Sequence, residues 1–214
     1  MPTYKLSYFD IRAYGENPRQ ILALAGEEFE DHRQSRDDWP LVKPTTPFGQ
    51  LPLLTVNGSK TLAQSHAISR FLAREFKLNG KTAWEEAQVN SLADQFKDYQ
   101  TEIRPYNMVK WGFSQGDAGK LYQEVFLPAF KKNYEFFTNF LKSSGSGYLV
   151  GDSVTWVDLL VAEHTADLLG KENTVFGVDE KVFDEFLDMK EHQKRIHEIP
   201  NLKKWLEERP VTAF

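Results

Sequence analysis

The chain has 214 residues, enough for one large domain or two modest ones with buried cores, and its 41% hydrophobic and 27% charged content is ordinary for a globular protein. A formal charge of -5, with no basic run longer than a pair such as Lys131-Lys132, argues against a nucleic-acid surface. There is no cysteine, which excludes disulfides, thiolate metal sites and a cysteine nucleophile; any sulfur chemistry must arrive with a ligand.

The opening Met1-Pro2-Thr3-Tyr4-Lys5 lacks the basic-then-apolar stretch of a secretory leader, and no apolar run approaches the roughly 18 residues of a membrane span, so a cytoplasmic location is expected. Tyr4, Leu6 and Tyr8 alternate with Lys5, Ser7 and Phe9 as in a strand. Asn17 and Pro18 read as a cap and first turn for a helix carrying Ile21, Leu22 and Ala25 up to Gly26. Phe29 to Arg33 supplies a second strand and closes a βαβ unit with a parallel crossover. After a polar stretch from Asp37 to Pro47, Leu53 to Val56 and Lys60 to Leu62 form a hairpin about Asn57-Gly58. That turn is a better reading of Asn57-Gly58-Ser59 than a glycosylation acceptor.

Ser65 to Phe76 predicts a helix, and Leu78-Asn79-Gly80-Lys81 breaks the composition. Thr82 with Glu85 makes a capping box for a long helix spaced by Gln88, Leu92, Phe96 and Tyr99 and reaching Tyr106. A further helix is predicted over Lys120 to Lys142 and another from Thr155-Asp158 through Leu169, with shorter ones over 182–186, 190–197 and 200–206.

Chemistry is carried by a few residues. Leu51-Pro52 precedes a strand; a cis bond would turn the Leu51 N–H and C=O outward to pair with a peptide, whereas a trans bond would merely end the loop. Gln64-Ser65 opens a helix, where an anion is favoured and where serine also serves as a plain cap. Tyr8 reads equally as a core aromatic, Trp39 as a loop anchor, Lys43 as a solvated lysine and Asp98 as part of an acidic face. The histidines show no ligand spacing, and Gly145, Gly147 and Gly151 do not form a phosphate loop.

Taken in order on a βαβ then ββα pattern, Tyr8, Gln50-Leu51-Pro52 and Gln64-Ser65 resemble the glutathione transferases. The resemblance runs from Tyr4 to about Phe214; it is narrowest to the sigma class, nematode type, related to hematopoietic prostaglandin D synthase. It implies an α/β thioredoxin-like domain over 1–79 that binds glutathione, and an all-α domain over 82–214 that contributes the electrophile pocket. It implies that Leu51-Pro52 is cis with Leu51 clamping the cysteinyl part, that Gln64 and Ser65 receive the γ-glutamyl carboxylate, and that Trp39 and Lys43 contact the glycine carboxylate. It implies too that Gly49 and Gln50 complete that site and that Tyr8 donates a hydrogen bond to the sulfur. Asp98 would reach the neighbouring subunit's glutathione, which makes the active unit a homodimer, with Phe48 a candidate anchor. Phe9, Arg12, Tyr14, Tyr106 and the tail residue Phe214 would line the electrophile pocket.

Two departures matter. Arg12-Ala13-Tyr14 stands where the class often has Arg-Gly-Arg, so an arginine beside the sulfur is replaced by tyrosine. Lys97 replaces the middle of three aspartates that bind a divalent ion in some relatives, so no metal is expected. The resemblance thus implies conjugation of reduced glutathione, a co-substrate rather than a resident cofactor, to hydrophobic electrophiles in detoxification, with possible peroxidase activity. The alternatives are a prostaglandin D isomerase and a carrier of haem or other apolar ligands.

Overall fold

The computed structural model describes residues 2–169, 176 and 178–212. By internal contact the chain divides into two units, Met1–Asn79 with His197–Phe214, and Gly80–Ile196.

The first unit is thioredoxin-like. Strand β1 (Tyr4–Phe9) is followed by helix α1 (Ala13–Ala25), β2 (Phe29–Gln34), the single turn α2 (Trp39–Val42), β3 (Leu53–Val56), β4 (Lys60–Ala63) and α3 (Ser65–Glu75). The sheet order is β2-β1-β3-β4, with β1 parallel to β2 and the other pairs antiparallel. β1 buries Tyr4, Leu6 and Tyr8 and leaves Lys5, Ser7 and Phe9 half-buried, as its alternation predicts. Helices α1 and α3 pack on one another and against the sheet, enclosing Leu6, Ile21, Leu22, Leu54, Ile68 and Leu72 completely. Asn57 and Gly58 both take positive φ, 52° and 66°, which a tight hairpin requires.

The start of α1 differs from the sequence expectation. Asn17-Pro18 does not open the helix; Pro18 lies inside it, five residues after Ala13, and Asn17 is buried. Proline tolerates only the first turn without losing a backbone hydrogen bond. Beside that proline lies a buried polar network whose other partners are far along the chain. Arg19, fully buried, donates from Nε to Asp31 Oδ1 at 2.8 Å and from Nη1 to the Ile11 carbonyl at 2.8 Å and Glu16 Oε2 at 3.4 Å. Glu16 Oε1 in turn accepts from Trp205 Nε1 at 2.8 Å and Arg209 Nη1 at 2.7 Å.

The second unit is all helical: α4 (Ala83–Glu102), α5 (Arg104–Lys110), α6 (Ala118–Leu121), α7 (Leu127–Ser144), α8 (Trp156–Leu169) and most of α9 (Leu187–His197). Helix α10 (Pro200–Glu208) packs on α1 and counts with the first unit. The predicted capping box is present: Glu85 N–H donates to Thr82 Oγ1 at 3.1 Å and Thr82 N–H to Glu85 Oε2 at 3.3 Å. The long helix stops before Pro105, which opens α5, so Tyr106 stands on a separate helix. The helix expected over Lys120 to Lys142 is interrupted by a wide turn at Tyr122–Phe126.

Asp158 fastens α8. Its Oδ2 accepts from the Thr155 N–H (2.8 Å) and hydroxyl (2.7 Å), and its Oδ1 from the Leu149 N–H (2.8 Å), with His192 Nε2 at 2.9 Å. Among the described residues no helix is long and apolar enough to cross a membrane.

Candidate functional site

The site residues expected before residue 80 gather at one end of the first unit's sheet and the loops beside it. Tyr8, at the end of β1, is 4% exposed. Its ring lies on the first turn of α1, so close to Gly15 that a Cβ there would stand 2.5 Å from Tyr8 Cδ1. Burial pushes the phenol up to about 12, while the Tyr14 backbone N–H and the charges of Arg19 and Arg36 pull it down. Arg19 Cζ lies 5.8 Å from the ring centroid. The phenol therefore keeps its proton at neutral pH and has it available for a hydrogen bond, rather than acting as a phenolate base.

Phe9 packs edge-on against Trp39, centroids 5.3 Å apart, and beside Tyr8 at 5.7 Å, which places Trp39 two rings from the phenol. Lys43, exposed, runs its stem along Gly49; a Cβ on Gly49 would meet Lys43 Cε at 3.4 Å, and the φ of +62° there favours glycine. The Leu51-Pro52 bond is cis. Gln64 Nε2 donates to Gln50 Oε1 at 3.4 Å, joining the loop before β3 to the start of α3.

Gln64, not Ser65, takes the cap position of α3, with φ 76°, ψ 115° and no side-chain bond to the helix. Such a backbone costs a non-glycine residue about 1–3 kcal/mol and is retained where the surroundings fix it. The uncapped end presents N–H groups and the positive end of the helix dipole, with Ser65 as its first residue, to an anion. Two groups of donors thus stand in this unit: the α3 end with Gln64 and Ser65, and Trp39 with Lys43. Together they suit a ligand with two carboxylates, and Tyr8 adds a neutral donor.

Arg12 is half-buried and Tyr14 is 55% exposed. In the helical unit Asp98 is exposed on α4. Tyr106 is 3% exposed on α5, its hydroxyl donates to the Phe176 carbonyl, and its ring lies against Phe126 at 4.9 Å. Phe214 lies outside the described residues. No trio of His, Cys, Asp or Glu among the described residues is grouped to hold a metal ion. His164, buried between Phe96, Tyr99 and Phe176, is pushed down to about 3 by burial.

Sequence reasoning missed Gly15, Glu16, Arg19 and Asp31. Glu16 and Arg19, spaced i,i+3 on the core side of an apolar helix, were the available signal.

Residues 4–74 match the sequence model of the Glutathione S-transferase, N-terminal domain, and residues 104–209 that of the Glutathione S-transferase, C-terminal domain. The chain is 64% identical over 214 residues to "Probable glutathione S-transferase 7" of Caenorhabditis elegans, covering 100% of both. Among solved structures it is similar to "a major nematode C.elegans specific GST", with a TM-score of 0.94, 58% identity and 100% of both chains covered. It is also similar to a monomeric glutathione S-transferase of the hookworm Necator americanus, with a TM-score of 0.92, 51% identity, and 99% of this chain and 100% of that one covered.

Proposed function

The chain belongs to the glutathione S-transferase family, and on that premise we propose that Tyr8 activates reduced glutathione by donating a hydrogen bond to its sulfur, for transfer to hydrophobic electrophiles. The reading rests on one observation above the rest: Tyr8 is a buried phenol, neutral at physiological pH, whose oxygen receives the Tyr14 N–H. A hydrogen bond to a charged acceptor contributes about 1.5–3 kcal/mol, or about one to two pKa units on the thiol. That shift makes the thiolate a major species near neutral pH.

In this reading Gln64 and Ser65 hold the γ-glutamyl carboxylate at the α3 end, Leu51 pairs with the cysteinyl backbone, and Trp39, Lys43, Gly49 and Gln50 hold the glycine end. Holding the peptide in place makes attack on a neighbouring electrophile effectively unimolecular. Phe9, Arg12 and Tyr14 offer the electrophile apolar and cationic contacts on this unit. Conjugation leaves the electrophile more soluble and unreactive, which is its value in detoxification, and the same thiolate reduces hydroperoxides. Asp98, exposed on α4, is assigned to the α-amino group of a neighbouring subunit's glutathione, so the active form is a homodimer. A similar hookworm protein is described as monomeric, which makes sedimentation equilibrium over a range of concentrations the direct check on this chain.

The test of the activation step is a pH titration of the ultraviolet thiolate band of bound glutathione in the wild type and in Tyr8→Phe. A thiol pKa lowered by about one to two units in the wild type and restored in the variant is expected. Glutathione that binds but ionises as it does in water would instead make the protein a ligand carrier.

A further inference from the structure

The first turn of α1 forms a socket for one side chain. Gly15 is buried there within the helix, and a Cβ added to it would lie 2.5 Å from Cδ1, 2.8 Å from Cγ and 3.0 Å from Cβ of Tyr8. Those atoms are the root of the aromatic side chain rather than a flexible tip, so room can be made only by moving the ring and its hydroxyl. Two residues earlier, Ala13 takes φ 31°, a left-handed backbone that alanine adopts at a cost. The following N–H, that of Tyr14, donates to the Tyr8 hydroxyl. Being in the helix's first turn, it has no acceptor within the helix to lose. A hydroxyl has two lone pairs and a single proton. Once the amide occupies a lone pair, the proton remains to be donated elsewhere.

We propose that Gly15 and the Tyr14 backbone N–H are positioning elements for Tyr8: the missing side chain at 15 seats the ring against α1, and the amide holds the hydroxyl so that its proton is directed at the glutathione sulfur. The proposal rests on the transferase reading of Tyr8. It also says what stands in for the replaced arginine. The Tyr14 side chain is turned largely to solvent, and it is the peptide group of the same residue that reaches the phenol.

The test uses the full chain in three forms: Gly15→Ala, Tyr8→Phe, and a backbone ester at Tyr14, made by incorporating the α-hydroxy analogue of tyrosine. The readouts are the pKa of bound glutathione's thiol, kcat and KM for glutathione with an aromatic halide, and thermal unfolding. Gly15→Ala and the ester are each expected to raise the thiol pKa by about one unit and lower kcat up to about tenfold, with KM for glutathione within about twofold. Gly15→Ala should add nothing further in a Tyr8→Phe background. A wild-type thiol pKa in both variants overturns the proposal, as does a loss from Gly15→Ala that persists in full on Tyr8→Phe. Should Gly15→Ala fail to fold, the ester, which adds no atom to the socket, decides. If Tyr8→Phe itself leaves the thiol pKa unchanged, the transferase reading of Tyr8 falls and the positioning proposal with it; a normal Tyr8→Phe response beside an inert ester overturns the positioning alone.

Discussion

Tyr8 in the first unit and Tyr106 in the helical unit are both nearly inaccessible, and burial pushes both phenols up to about 12. What separates them is the partner of the oxygen. Tyr106 spends its proton on the Phe176 carbonyl, whereas Tyr8 accepts a backbone N–H and keeps its proton to give. A raised phenol is thus no mark of function by itself; it becomes one when the proton is left over. The same contrast extends to the two units. Polar groups inside the helical unit, such as Asp158 and His164, fasten helices, while Arg19, which bonds Asp31 and the Ile11 carbonyl, also lies 5.8 Å from the Tyr8 ring.

The contrast can be broken or sharpened by four measurements. The largest effect is acid loss of stability from His164. Its folded-state pKa, about 3, lies below the ordinary 6.5, so the unfolded chain binds the extra proton across that interval. The stabilisation is complete above pH 6.5 and falls by about 1.4 kcal/mol per unit as the pH drops toward 3. Urea denaturation as a function of pH should show this slope in the wild type and lose it in His164→Gln.

Next, Asp158→Ala strands the Leu149 N–H, both Thr155 donors and the contact to His192, and is expected to cost about 3 kcal/mol or more. The folded fraction should still lower the thiol pKa of bound glutathione; failure to do so would mean the fastening groups also aim the donor. Tyr8→Phe should cost about 1.5–3 kcal/mol of transition-state stabilisation, a fall of roughly 10- to 150-fold in kcat/KM, with a small change in unfolding. Smallest is Tyr106→Phe, expected to cost about 1–2 kcal/mol of stability by leaving the Phe176 carbonyl unpaired, with kcat/KM within about threefold. Equal kinetic losses at the two tyrosines would erase the distinction.

Where the sequence was legible, a single stretch of chain carried the whole signal. The alternation of β1, the Asn57-Gly58 turn and the Thr82–Glu85 box each depend on residues within reach of one another, and each stands as expected. Asn17-Pro18 misled because a local cap signal competed with Glu16 and Arg19, whose partners Asp31, Trp205 and Arg209 lie far along the chain. The same limit put Tyr106 on the long helix, since helical spacing continued past the break at Pro105. Of the site, residue types on loops and helix ends could be named from a family pattern, but Gly15 could not. Its role is a clash that does not occur, and only coordinates reveal the space a missing atom protects.

The pairing of Glu16 with Trp205 and Arg209 has a consequence for synthesis. Chains emerge from the ribosome N-terminus first, and domains usually fold in that order. Here the first unit has its buried Glu16 and the neighbouring Arg19 made early, and the Trp205 and Arg209 that hold the carboxylate's other oxygen made almost last, after the helical unit between them. A nascent chain therefore carries the first unit without these closing contacts through most of translation, and the helical unit enclosed between them in sequence is the part free to fold first.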